Sequence, residues 1–304
     1  MSKPAKLYKY CPLSIWALRA ISEAEVHHTS PSQFNDPLDC NPTLEVDVSN
    51  YELTRLLRRM LAQEFSETEV DEEIARIRYM ADAPGEDGEV GDREEALRWG
   101  LAQRVMALVK REFGAKGVLP LSATWAEPLM WSHYADQHKG ICIEYDISQW
   151  PVENLKPVNY NAPRAVRAHD LHRWKIDGDA QALERINSTY FYAKAPEWSY
   201  EKEWRDVNDR AGINVLPFEI SAIHLGLRTD FVWHRVIVKL LNQDRDIKLY
   251  QIRVEDDNFG LSRYELERDE LEQTGIRQPP FKIFGNILDT TPPNPLSEIE
   301  DLLG

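Results

Sequence analysis

Apolar side chains follow two regimes along this chain. Over 49–114 they recur at helical spacing, and on either side they form short alternating or continuous blocks of strand length. In the helical block, Ser49 or Asn50 caps a helix whose Leu53, Leu56, Leu57, Met60 and Leu61 share one face. Ser66 and Glu69 make a capping box ahead of Val70, Ile74, Ile77 and Met80. A third helix spans 93–113 and closes at Gly114, with Leu97, Leu101, Val105 and Leu108 facing the core. Met60, Met80 and Met106 read as core filler, and 84–92 as an acidic loop.

The flanking blocks predict a sheet. Residues 7–10 form a strand, 12–20 a helix opened by Pro12, and 24–30 a second strand. A strand ends near Ser122 and Thr124, a short aromatic helix carries Met130, Trp131, His133 and Tyr134, and Gly140 stops it. Ile141, Ile143 and Tyr145 then alternate along the next strand. Further on, 155–160 reads as a strand, 179–194 as a helix and 196–205 as extended. An apolar block follows at 213–226, then a helix at 229–242 and a strand at 247–254. These elements predict one α+β domain over 1–276, with 49–114 as a helical insertion and 277–304 as a proline-rich acidic tail.

Net charge changes the picture of partners. At −15 the chain repels nucleic acid and anionic membranes except at a local basic groove. The most basic stretch, 164–175, holds Arg164, Arg167, His169, His172, Arg173 and Lys175. It reads first as a solvated helix face and second as a phosphate patch. Cys11, Cys40 and Cys142 have no metal-ligand spacing and read as reduced thiols, and no apolar run reaches membrane-spanning length. A cytoplasmic protein is expected.

Candidate chemistry gathers in three places. Ser122, Thr124, His133 and Tyr134 lie where strand becomes helix, a position that commonly faces ligands. In 30–37 the order Phe34-Asn35-Asp36-Pro37 reads as a tight loop, with Asn35 or Asp36 as the secondary reading of a ligand contact. In an extended 200–205, Glu201, Glu203 and Arg205 share one face. They either line a cleft or form a structural ion pair.

Four patches together resemble a bacterial family, the domain of unknown function 2971. They are residues 7–10, 34–37, Met130-Trp131-Ser132-His133-Tyr134 with Lys139-Gly140, and 201–205. More distantly, the chain resembles ADP-ribosyltransferases, with a polar first strand at Tyr8, Lys9 and Tyr10, Ser122-Ala123-Thr124 followed by Ser132-His133-Tyr134, and a paired glutamate at Glu201 and Glu203. It departs from them in lacking His or Arg on the first strand and a glycine-rich nicotinamide loop.

That resemblance implies a mixed, split β-sheet and NAD as substrate, with ADP-ribose passed to a macromolecule or to water, in a toxin or phage-defence setting. It implies Glu203 as catalytic carboxylate, Glu201 orienting the acceptor and Tyr134 stacking on nicotinamide. Tyr8, Lys9, Tyr10, Asn35, Ser122, Thr124, Trp131 and His133 would surround the cofactor, with no metal. From the residues alone two other classes stay open. One is a metal-dependent nuclease or phosphoesterase using Asp36, Asp39, His133, His138, Glu201 and Glu203; the other is a partner-binding module presenting the aromatic side chains.

Overall fold

The computed structural model describes residues 3–83, 92–149, 155–215, 218–241, 246–269 and 271. The chain opens with β1 (Lys6–Cys11), α1 (Ile15–Ser22), β2 (Glu25–His28) and β3 (Thr43–Glu45). The helical block follows as α2 (Asn50–Leu61), α3 (Glu67–Asp82) and α4 (Arg93–Gly114). Next come β4 (Gly117–Ser122), α5 (Pro128–Tyr134), β5 (Ile141–Asp146), β6 (Lys156–Pro157), β7 (Ala165–Arg167), α6 (Ala168–Asp177) and α7 (Ala180–Tyr192). The remaining elements are β8 (Glu203–Asn208), β9 (Gly212–Val215), β10 (Glu219–Leu225), α8 (Phe231–Leu240), β11 (Lys248–Val254) and β12 (Leu261–Glu265).

Eight strands form one mixed sheet in the order β12-β11-β10-β5-β1-β4-β8-β6. An α+β architecture is therefore observed. β10 and β11 run parallel, as a strand-helix-strand unit requires, and the other pairs in this sheet are antiparallel. β1 is bonded to β5 along its whole length but meets β4 only at Tyr8 opposite Ser122. The sheet thus opens beside β1, and the cleft described below lies in that opening.

Local chemistry explains the helical block. Ser49 and Ser66 each accept the amide of the residue three positions on, Glu52 and Glu69, and those glutamates accept the serine amides in return. Asp92 caps α4 through the amides of Glu94 and Glu95. The buried faces of α2, α3 and α4 pack with α6 and α7 in one core that reaches Val118 and Val207 of the sheet. A second core lies between the sheet and helices α1 and α8, and a third sets Tyr8, Tyr10 and Cys142 against Met130 and Trp131 of α5.

Several expectations are corrected. Met60 and Met106 fill the core, but Met80 is exposed on α3. α1 starts at Ile15 behind Ser14, two residues past Pro12, and has no side-chain cap. β5 does not alternate; its first five residues are all buried, because strands flank it and cores cover both faces. The strand expected over 155–160 shrinks to β6. The basic stretch dissolves into ion pairs, with Arg167 on Asp47, Arg173 on Asp179 and Lys175 on Glu112. Residues 84–91 and 277–304, read as an acidic loop and a tail, lie outside the described residues. The three cysteines are unpaired thiols.

Gly140 is where β5 begins and α5 is pinned against β1. A Cβ there would meet the Cys11 carbonyl oxygen at 2.3 Å and the Ala135 carbonyl oxygen at 2.9 Å, both backbone atoms that cannot swing aside. Gly140→Ala is expected to cost about 1–3 kcal/mol, the usual range for overpacking, read as a lower urea midpoint at unchanged slope. An unchanged midpoint would mean that the α5–β1 junction yields.

Candidate active-site cleft

The cleft beside β1 has a volume of about 90 Å³ and is lined by Tyr8, Lys9, Tyr10, Phe34, Asn35, Asp39, Pro120, Leu121, Ser122, Met130, Tyr134, Lys194, Glu201 and Glu203. Four separated stretches build it: β1, the 34–39 turn, the β4–α5 junction, and the segment from the end of α7 into β8. Of the residues singled out from sequence, Tyr8, Lys9, Tyr10, Asn35, Ser122, Tyr134, Glu201 and Glu203 line it. Thr124, Trp131 and His133 do not. Trp131 is fully buried and donates its indole N–H to the Trp125 carbonyl at 2.8 Å, so it is a packing residue. Thr124 holds the turn, its hydroxyl accepting the Ala126 amide and its carbonyl accepting the Tyr10 hydroxyl. His133 is exposed and meets Tyr134 and Trp198 edge-on.

The glutamate pair is not set out by strand alternation. Pro196–Glu201 is a 3-10 helix, Lys202 follows at a φ of 47°, and the strand begins only at Glu203. Short polar chemistry fixes this kink. The Ser122 hydroxyl donates to the Glu201 carbonyl at 2.7 Å, Ala123 N–H donates to the Lys202 carbonyl at 3.0 Å, and Glu203 N–H donates to the Tyr160 hydroxyl at 2.8 Å. Ser122, which also lines the cleft, thus holds the Glu201 backbone in place.

Three carboxylates and two cations interlock along one wall. Arg205, fully buried, forks onto Asp39 at 2.8 and 2.6 Å and onto Glu203 at 2.7 and 3.0 Å, and reaches the Phe191 carbonyl at 2.7 Å. Lys194 donates to Glu201 at 2.5 Å and to Glu203 at 2.9 Å, with Asp39 at 3.4 Å. The remaining Glu201 oxygen accepts the Tyr134 hydroxyl at 2.7 Å. The sequence left open whether the 201–205 acids line a cleft or form an ion pair; they do both. Lys194 was not singled out from sequence, because nothing in its local pattern sets it apart from a helix-end lysine; Asp39, named as a ligand in the metal-dependent reading, pairs with Arg205 instead.

The two glutamates titrate apart. For Glu203 burial opposes ionisation, but Arg205 and Lys194 overcome it and hold the carboxyl at about 2. For Glu201 burial and the neighbouring Glu203 charge prevail over Lys194, so its carboxyl is raised. Burial also raises the Tyr134 hydroxyl, helped by its bond to Glu201. Lys9, whose ammonium donates to the Pro120 carbonyl at 3.0 Å, is lowered by burial. Among the described residues no group of three or more His, Cys, Asp and Glu could hold a metal ion, and both oxygens of Asp39 and of Glu203 are taken by cations.

The sign of the pH dependence follows. Glu203 is lower folded than unfolded, so its contribution is fully present above the ordinary glutamate range. It is lost as pH falls from about 4.5 toward about 2. Glu201 acts oppositely, since a raised carboxyl draws stability down as pH rises past its unfolded value. The urea midpoint is expected to fall over the acid window, with a shallower fall in Glu203→Gln. Identical acid limbs would show that these cations do not hold Glu203.

Among the described residues, no helix is long and apolar enough to cross a membrane. No curated protein and no solved structure matches the chain, and nothing in these comparisons points to the ADP-ribosyltransferases. The family model described as "Protein of unknown function (DUF2971)" matches residues 130–205, from α5 through Glu201, Glu203 and Arg205 to the wall of the cleft, and supports the chain's resemblance to that family.

Proposed function

We propose that the cleft binds the nicotinamide end of NAD and breaks its glycosidic bond, passing ADP-ribose to water or to a macromolecular acceptor. One observation carries this reading. The three segments that resemble ADP-ribosyltransferase signatures, at Tyr8–Tyr10, Ser122 and Glu201–Glu203, are far apart in sequence yet line one cleft. Those segments lie on or beside the adjacent strands β1, β4 and β8.

The chemistry suits the charges. In the wall, Asp39, Glu201 and Glu203 face Lys194 and Arg205, and the Lys9 ammonium lines the cleft beside them. A sugar carbon losing a pyridinium develops positive charge, which a fixed carboxylate beside it stabilises. Glu203, held ionised, supplies that charge. Glu201, the more basic carboxylate, takes the proton of the attacking hydroxyl as its oxygen bonds to the sugar carbon. The electron pair of the breaking C–N bond leaves with nicotinamide. A cavity of about 90 Å³ is far below the roughly 300–1,000 Å³ of whole-ligand pockets. It fits one ring and part of a ribose, between Tyr134, Phe34 and Met130, and the rest of the dinucleotide lies outside it.

Titration with NAD is expected to raise the heat-unfolding midpoint, since a ligand of the folded state stabilises by mass action, and to release nicotinamide. Glu201→Gln, nearly isosteric, is expected to keep the midpoint shift and to lose release by about 10²–10⁴-fold, the usual share of a general base. No shift and no release at millimolar NAD would remove the NAD reading.

A further inference from the structure

A second buried ion cluster lies on the other side of Tyr8. Glu144 of β5 is almost wholly buried and accepts Lys6, the Ser221 hydroxyl at 2.8 Å and Arg263 Nη1 at 3.0 Å. Tyr8 stands opposite Glu144 in the β1–β5 pairing, and Tyr8 also lines the cleft. Arg263 Nη1 lies 2.8 Å from His224 Nε2 as well. Burial and the Arg263 charge keep that imidazole neutral, at about 3, so its Nε2 accepts. Two cations thus reach Glu144, and Asp146, opposite Lys6 in the β1–β5 pairing, is the second carboxylate near Lys6.

Arg263 is held in a particular way. Its guanidinium carbon lies 4.2 Å from the Tyr250 ring centre and 4.9 Å from that of Trp125, the first on β11 and the second on the β4–α5 junction. Two rings and two acceptors on Nη1 fix the plane. The Nε–Nη2 edge, the fork that matches two oxygens of a phosphate, has no partner among the described residues. The side chain is 27% exposed, so that edge is open to solvent rather than sealed. An arginine needed only to neutralise Glu144 has no use for a second ring or a free fork, since Lys6 and Ser221 already serve that carboxylate.

We propose that Arg263, outside the cleft but reached from it through Tyr8 and Glu144, is an anion-recognition residue, binding a phosphate or pyrophosphate group of a nucleotide substrate on its Nε–Nη2 edge. The identification of the substrate as NAD rests on the reading above; the anion site does not. The ligand then meets two places, Glu201 in the cleft for the reacting sugar and the free Arg263 fork outside it for the phosphates, with Tyr8 between them.

The test uses the full chain and inorganic pyrophosphate, followed by calorimetric titration and by the heat-unfolding midpoint. Wild type is expected to bind it. Arg263→Met, which keeps the stem between the rings, should weaken binding about tenfold to a hundredfold, the range of a lost charge-assisted fork. Arg263→Lys retains the charge beside Glu144 but not the fork, and should weaken binding several-fold; it decides the matter if the methionine variant fails to fold. No binding to wild type at millimolar pyrophosphate, or equal binding by wild type and both variants, overturns the proposal. Arg263-dependent pyrophosphate binding without nicotinamide release would leave this site standing and remove the NAD reading. Nicotinamide release with a KM for NAD that Arg263→Met does not move would remove this site alone.

Discussion

The buried guanidinium of Arg205 is the constraint on which the cleft depends. A charge removed from water costs several kcal/mol unless paired, and this one is paired twice over, with Asp39 and Glu203, and capped by the Phe191 carbonyl. Those partners come from the turn after Phe34, from β8 and from α7, so one side chain ties three distant segments to one point. Phe34 lies against the guanidinium with its ring centre 5.6 Å away, which brings Asn35 to the cleft rim. Lys194 repeats the arrangement with the same acids, reaching Glu203 and Asp39 as well as Glu201. Because Arg205 satisfies Glu203 and Asp39, Lys194 is left to be shared with Glu201, and Glu201 keeps an oxygen for Tyr134. The raised carboxyl of Glu201 follows from its burial and from the charge kept by the saturated Glu203.

β1 does the complementary work. Neighbouring residues of a strand point to opposite faces, and β1 would ordinarily offer the cleft only every second side chain. Its single pairing with β4, at Tyr8 and Ser122, leaves the strand bare on one edge. Tyr8, Lys9 and Tyr10 all reach the cleft by way of that edge. The Lys9 ammonium spans the gap to the Pro120 carbonyl and replaces ladder bonds that the open edge forgoes. Opening the sheet thus creates the cavity and supplies its polar lining in one step, and Tyr8 lines the cavity while standing opposite the buried Glu144 in the strand pairing.

The helices were legible because their signals are local: Ser49 with Glu52, Ser66 with Glu69, and Asp92 ahead of Arg93 act within one turn. The strands were legible where apolar runs were long, as in β1, β4, β5 and β11. β12 was missed because Leu261–Glu265 is mixed in polarity and is made a strand by pairing with β11, a tertiary cause. Much of the cleft could be named from residue type and order. Its organisation could not, since an extended 196–205 is the simplest reading of alternating acids and aromatics, and the left-handed Lys202 that breaks it has no side-chain signature. Trp131 and His133 are two residues apart on α5, and a helix turns about 100° per residue, so one is buried against the core and the other faces solvent.

The saturated ion wall of the cleft and the free Arg263 fork outside it bear on what kind of ligand the proposed sites would select together. A ligand carrying only positive charge would gain at Glu201 and lose at Arg263; a simple anion would do the reverse. A molecule with an electron-poor ring at one end and phosphates at the other gains at both, and its length rather than its net charge becomes the selected property. The narrowness of the cavity sharpens this, because about 90 Å³ leaves little room beside one ring, so the phosphates of the proposed ligand would lie outside it. Tyr8, Glu144 and Arg263 lie on β1, β5 and β12, so a ligand reaching from the cleft to Arg263 would cross the sheet on the side of β5, away from β4.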